Sequence, residues 1–286
     1  MTGTVRRHQL LPPLPSLSMP PSSPPSLPRL ETHMLVTAVT GWSRVAQLTH
    51  PERSPSPAQQ AALAALVARR LAGEPMAYLL GEREFYGLTL AVSPDVLIPR
   101  PDTETLVEVA LAHLPPNGRV LDLGTGSGAV ALAIQHSRPD ATVSAVDVSA
   151  AALAVAQRNG VQLGLAVQWQ VSDWYSALAG QVFDLIVSNP PYIAQTDPHL
   201  AQGDLRFEPV SALTDHADGL AAIRRIVADA PSHLAAGGWL WMEHGWQQGE
   251  AVQALLTTQG WEAVATVADL AGHGRVTGGC WRGAVA

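Results

Sequence analysis

Apolar positions recur along this chain with two different periods. Between residues 29 and 82 the spacing is helical, as in Leu63, Leu66, Val67 and Leu71. Ser56-Pro57 starts one such helix, with Ser56 as the cap and Pro57 in the first turn. Arg69 and Arg70 stand near its C-terminal end, where the helix dipole favours cations, and Gly73 ends it. Residues 83–100 contain Phe85-Tyr86-Gly87-Leu88-Thr89-Leu90-Ala91-Val92, a β-leaning run around a glycine that predicts a hairpin or an extended linker. Pro99 and Pro101 stiffen its exit. From Asp102 onward, short apolar runs alternate with amphipathic stretches. This predicts helix 102–113, strand 119–123, helix 128–137, strand 142–147, helix 149–159, strand 167–171 and strand 183–188. After a long loop come helix 219–235, strand 238–243, helix 247–259, and strands 261–267 and 274–281. Such alternation builds a mostly parallel sheet covered on both faces, and the two closing strands predict one antiparallel edge strand.

Residues 1–28 break the pattern. They are rich in Pro and Ser, which predicts a disordered or extended tail. The organisation is therefore a tail over 1–28, a small helical domain over 29–82, a hairpin linker over 83–100 and a larger α/β domain over 101–286. At 286 residues, 47% apolar and 14% charged, the chain can build both cores. The net charge of −7 gives no general basic footprint, which weighs against direct nucleic-acid binding. A single cysteine, Cys280, excludes an internal disulfide and a cysteine-based zinc cage, and no metal is expected. No run approaches the roughly eighteen apolar residues of a membrane span. No apolar segment of a secretory signal accompanies Arg6 and Arg7, so a cytoplasmic protein with no membrane partner is expected.

Two motifs carry chemistry. The first is Val120-Leu121-Asp122-Leu123 running into Gly124-Thr125-Gly126-Ser127-Gly128, a strand entering a glycine-rich turn that opens a helix. Glycines let a backbone approach a ligand closely. Asp147 ends the next strand, where a carboxylate can hold ribose hydroxyls. The same glycines also fit a dinucleotide pattern and alone do not choose between NAD and S-adenosylmethionine. Asp122 favours the latter: its charge would repel a pyrophosphate but attract an ammonium and a sulfonium. Asp173 and Trp174 follow strand 167–171, where Trp174 could flank an adenine and Asp173 could accept from its amino group.

The second motif is Asn189-Pro190-Pro191-Tyr192 after strand 183–188. It falls at the carboxyl ends of the strands, where open α/β sheets bind ligands. The prolines fix the backbone and remove two N–H donors. The Asn189 side-chain oxygen and the Pro190 carbonyl could then accept both hydrogens of a planar NH2 group, with Tyr192 packing on its flat face. Asn189 would border cofactor and substrate alike. Held this way, a weakly nucleophilic amide nitrogen can localise its lone pair toward a methyl donor, and no strong base is required. His244, in Glu243-His244, reads as a structural histidine. A nucleic-acid amino methyltransferase and a non-catalytic nucleotide-binding module are the competing readings.

Several further blocks accompany these motifs: Arg83-Glu84-Phe85-Tyr86-Gly87, Ile98-Pro99-Arg100-Pro101-Asp102-Thr103-Glu104, Phe207-Glu208-Pro209 and Glu243-His244-Gly245-Trp246-Gln247-Gln248-Gly249. With them the chain, from about Leu30 to its C-terminus, resembles the glutamine-N5 methyltransferases of bacterial peptide chain release factors, the PrmC/HemK family. That family begins with a helix where this chain has its Pro/Ser stretch. The resemblance implies a Rossmann-like, seven-stranded class I methyltransferase domain over 101–286, with the helical N-terminal domain recognising the release factor. It implies that the Gln of a Gly-Gly-Gln tripeptide is modified. Carried over by position, Gly124, Thr125, Gly126, Ser127, Gly128, Asp147 and Trp174 would contact S-adenosylmethionine, and Asn189, Pro190, Pro191 and Tyr192 would bind the substrate Gln.

Overall fold

The computed structural model describes residues 27–283. The predicted tail over 1–28 therefore lies, but for its last two residues, outside the described residues. Four helices come first: α1 (Arg29–Thr40), α2 (Arg44–Thr49), α3 (Pro57–Leu71) and α4 (Met76–Leu80). Ser56 caps α3 in a reciprocal box with Gln59, and Pro57 occupies its first turn. Strands β1 (Glu82–Phe85) and β2 (Leu88–Ala91) pair antiparallel. Tyr86 and Gly87 between them have φ of +50° and +75°, the left-handed pair that a two-residue hairpin turn demands.

The larger sheet then assembles. Its elements are α5 (Glu104–His113), β3 (Arg119–Leu123), α6 (Ala129–Ser137), β4 (Thr142–Asp147), α7 (Ala150–Leu163), β5 (Gln168–Val171) and β6 (Phe183–Ser188). A long irregular stretch holds the short α8 (Val210–Leu213). It is followed by α9 (Ala221–Asp229), β7 (Leu234–Glu243), α10 (Gly249–Thr258), β8 (Glu262–Ala268) and β9 (Gly274–Trp281). The seven strands lie in the order β5-β4-β3-β6-β7-β9-β8. Alternate residues of each inner strand serve opposite faces. Val120, Leu185 and Trp241 pack toward α5 and α6, while Leu121, Ile186 and Leu240 pack toward α9 and α10.

Three expectations need correction. The antiparallel strand is not at the edge: β9 sits between β7 and β8 and runs antiparallel to both. Burial explains the order. Val276, Thr277 and Gly278 are buried, whereas β8 is exposed or half-buried throughout and can tolerate the rim. Helix 219–235 stops at Asp229, because Pro231 lacks the N–H that another helical turn needs, and β7 begins four residues earlier than expected. Helix 149–159 continues to Leu163 and ends where Gly164 takes the left-handed conformation.

Beside the bonds from Tyr86 to Glu104 and Glu108 of α5, one side chain of α7 ties the hairpin to the glycine turn. Asn159 of α7 accepts from the Ala91 amide at 2.7 Å, donates to the Ala91 carbonyl at 3.0 Å, and donates to the Ser127 carbonyl at 2.9 Å. The β2 end and the glycine turn are thus fixed to one another.

Candidate active site

A cavity of about 330 Å³ opens at the carboxyl ends of β3, β4, β5 and β6. Its floor is the glycine turn. The amides of Gly124 and Thr125 both donate to the Val146 carbonyl, at 2.9 and 3.0 Å, which folds the turn back over β4. Gly124 and Gly126 have φ of +71° and +55°, a conformation that a side chain would strain. A Cβ at Gly124 would rest in ordinary contact with the Trp174 ring at 3.6 Å, so it is the backbone conformation rather than crowding that calls for glycine there.

Asp147 holds the other end of the turn. Oδ2 accepts from the Gly126 amide at 2.9 Å and Oδ1 from the Ser149 amide at 2.8 Å. Ser149 itself caps α7. Burial pushes the Asp147 carboxyl above its ordinary pKa, against the pull of those amides. Asp122 is buried more deeply. Its Oδ2 accepts from the Thr125 hydroxyl at 2.6 Å, and burial raises its pKa to about 7.

Trp174 stands on the left-handed backbone, with φ of +51°, a costly conformation for an aromatic residue. The Ser172 hydroxyl donates to its carbonyl at 2.7 Å and helps to hold that turn. Asp173 lines the cavity too, but its carboxylate already takes Arg225 of α9 at 2.9 Å through both oxygens. Asp173 is exposed, and the pair is accordingly weak.

Of the residues singled out in the sequence, Gly124, Thr125, Gly126, Ser127, Asp147, Asp173, Trp174, Asn189 and Pro191 line this one cavity. Gly128, Pro190 and Tyr192 do not. Gly128 faces inward, where a Cβ would come within 3.0–3.1 Å of Trp169, Ala156 and Leu132; it brings α6 close to the sheet. Pro190 is buried, and no donor among the described residues bonds its carbonyl. Tyr192 turns its hydroxyl to Glu243 Oε1 at 3.2 Å, and burial holds its pKa well above the ordinary tyrosine value. Gln248 secures the same loop, donating to the Tyr192 carbonyl at 3.1 Å. His244 is fully buried and satisfied at both nitrogens: Nδ1 pairs with the Gly245 carbonyl at 2.9 Å and Nε2 with the Thr277 hydroxyl at 2.6 Å.

The residue-by-residue reading missed Thr103, whose Oγ1 accepts from Asn189 Nδ2 at 3.1 Å, and Val148, which is exposed at the cavity wall. It also assigned no role to Arg100 and Glu208. Glu208 is buried, ion-pairs with Arg100, and accepts from the Ile98 amide at 3.4 Å. This joins the end of the linker to the stretch carrying Pro209, Ser211 and Ala212, which close the cavity on one side. The signal was available for all but Val148, since Thr103, Arg100 and Glu208 fall in the blocks that carried the resemblance.

The donor set fits S-adenosylmethionine. A buried carboxyl, Asp122, lies at the cavity where a pyrophosphate would need donors, and the left-handed glycines leave a groove that side chains would fill. No cluster of three metal-ligating side chains occurs among the described residues. No helix among them is long and apolar enough to cross a membrane.

Comparison with known proteins gives a consistent result. Residues 25–81 match the PrmC N-terminal domain and residues 101–204 the methyltransferase small domain. A release factor glutamine methyltransferase of Bordetella pertussis is 58% identical over 89% of this chain and 96% of its own length. That of Escherichia coli K12 is 50% identical over 87% of this chain and 91% of its own. Among solved structures, a methyltransferase from Pyrococcus furiosus superposes with a TM-score of 0.54 at 19% identity, covering 76% of this chain and 97% of that one. At that identity the likeness concerns the fold.

Proposed function

The chain belongs to the release factor glutamine methyltransferases, which are S-adenosylmethionine-dependent enzymes, and from that premise we propose that it methylates the side-chain nitrogen, N5, of the Gln in a release factor's Gly-Gly-Gln tripeptide. The observation that carries this reading is that Asn189 and the glycine turn line the same cavity. When bound there, S-adenosylmethionine supplies a methyl group made electrophilic by its sulfonium. Gly124, Thr125, Gly126, Ser127, Asp147 and Trp174 hold it, and the Asp122 carboxyl opposes its positive charge.

The substrate's difficulty is its own electronics. A carboxamide nitrogen shares its lone pair with the carbonyl and is a poor nucleophile. Asn189 Oδ1 and the Pro190 carbonyl accept its two N–H bonds, which fixes the nitrogen and favours a localised lone pair. The Pro190 carbonyl has no other donor among the described residues, and the Asn189 amide spends its NH2 on Thr103, so both acceptors are free for this work. The two prolines keep the loop rigid, and Gln248 and Glu243 anchor Tyr192 behind it. The nitrogen's surplus proton passes to water or a backbone acceptor. A translation factor as substrate makes the cytoplasm the place of reaction, and the helices α1 to α4 are the proposed docking domain.

The test is incubation of the protein with a release factor and labelled S-adenosylmethionine, followed by mass mapping. One methyl group on the Gly-Gly-Gln glutamine is the expected result. Label on another residue, or none, would refute the reading.

A further inference from the structure

A carboxamide can bind in either of two orientations, and only one of them presents an acceptor to a substrate NH2. We propose that Glu243 is a positioning residue that fixes the Asn189 amide in its productive orientation through the Thr103 hydroxyl. The proposal rests on the reading of Asn189 as an acceptor for the substrate amide.

Glu243 ends β7 and is 1% exposed. Its Oε1 accepts from the Tyr192 hydroxyl at 3.2 Å. Its Oε2 is buried with no hydrogen-bond partner of its own among the described residues, a costly position for a carboxylate oxygen unless a donor is at hand. The Thr103 hydroxyl stands close enough to favour the carboxyl's charged form, and its own proton has no acceptor among the described residues, so it is the group able to turn a proton to Oε2. Thr103 Oγ1 meanwhile takes the Asn189 Nδ2 at 3.1 Å.

A hydroxyl carries one proton. An ionised Glu243 has none to give and draws the Thr103 proton toward itself. Thr103 oxygen can then only accept from Asn189, so the amide turns its NH2 to Thr103 and its Oδ1 away, toward the cavity that Asn189 lines. A protonated Glu243 could donate to Thr103 instead and free the threonine proton for Asn189. The amide would then be stable with its NH2 toward the cavity, facing the donors of the substrate.

The groups around Glu243 set when this happens. Burial is the main influence and brings its pKa to about 7. Thr103, Tyr192 and Arg275 favour the charged form, while Asp102 opposes it. Arg275 is itself paired with Asp269 at 3.0 Å and Asp102 at 3.3 Å. His244, next in the chain, is kept neutral by burial.

The test uses the full chain, with cofactor affinity from calorimetry and kcat and KM with a release factor measured across pH. Glu243→Gln should lower kcat on the order of 10–100-fold, with cofactor affinity and KM nearly unchanged. It should also remove the part of the acid limb that wild type shows as pH falls through about 7. Thr103→Val should reproduce the kcat loss, Thr103→Ser should restore it, and the Glu243→Gln/Thr103→Val pair should lose no more than one of them alone. If Glu243→Gln does not fold, the Thr103 pair decides: wild-type kcat in Thr103→Val overturns the proposal. Wild-type kcat and an unchanged acid limb in folded Glu243→Gln, with Asn189→Ala slow, overturns the proposal and leaves the Asn189 reading standing. Wild-type turnover in Asn189→Ala overturns both.

Discussion

The Gly126 amide donates to Asp147 Oδ2 at 2.9 Å, so the carboxylate at the end of β4 shapes the turn at the end of β3. Asp147 therefore has two tasks, holding the glycine turn and offering an acceptor to the cavity. Asp147→Ala should weaken S-adenosylmethionine binding by roughly 10–100-fold, the worth of one or two hydrogen bonds to a charged group. Calorimetric titration checks this, and unchanged affinity would remove Asp147 from the binding site.

Asn189→Ala separates chemistry from binding. Cofactor affinity and melting temperature should stay near wild type. Turnover should fall by roughly 10²–10³-fold, in line with about 2–4 kcal/mol for one fixed polar group at a reacting centre. Single-turnover kinetics with a release factor measures the loss directly.

Asp122 trades stability for charge. Its folded pKa, raised to about 7, lies above the value of an unfolded Asp. The neutral form is thus favoured by folding, and that stability is complete below the unfolded pKa and lost as pH rises through about 7. Asp122→Asn removes the loss while keeping an acceptor for the Thr125 hydroxyl. Relative to wild type, the variant should gain roughly 2–4 kcal/mol between about pH 4 and pH 8. Its affinity for S-adenosylmethionine should fall below that of wild type as pH rises through about 7, where the wild-type carboxyl becomes charged. Urea unfolding at several pH values and cofactor titration test the two halves.

Gly278→Ala should damage the fold rather than the chemistry. A Cβ there would stand 2.2 Å from the Leu240 carbonyl and 2.3 Å from the Trp241 ring. Both belong to β7, which carries Glu243 at its end. A loss of roughly 1–3 kcal/mol or more is expected, read as a lower urea midpoint with little change in slope.

The legible parts of this chain share a physical character: they are local. The 3.6-residue pattern of α3, with Ser56 and Pro57 at its start, writes a helix into consecutive residues. The apolar runs that became β3, β4 and β6 do the same for buried strands. The glycine turn and the Asn189-Pro190-Pro191-Tyr192 loop could be recognised because φ freedom and missing N–H groups are properties of single residues. Their meeting in one cavity follows from a general rule, since parallel strands end on one side of a sheet.

Decisions between distant residues were not legible. The order β7-β9-β8 depends on which of the two closing strands buries more when both compete for the flank of β7, and neither strand carries that comparison alone. Gly128 resembles its neighbouring glycines in sequence, yet only the packing of Trp169, Ala156 and Leu132 turns it from the cavity to the core. Tyr192 adjoins the same loop, yet only the packing around Glu243 takes its hydroxyl to that carboxyl and out of the cavity lining. Sequence determined which chemistry this protein could perform, because side-chain types and backbone freedom are set residue by residue. Tertiary structure decided which groups meet, because the burial of Glu243 and the bond from Asn189 to Thr103 exist only once β7, the start of α5 and the end of β6 have come together.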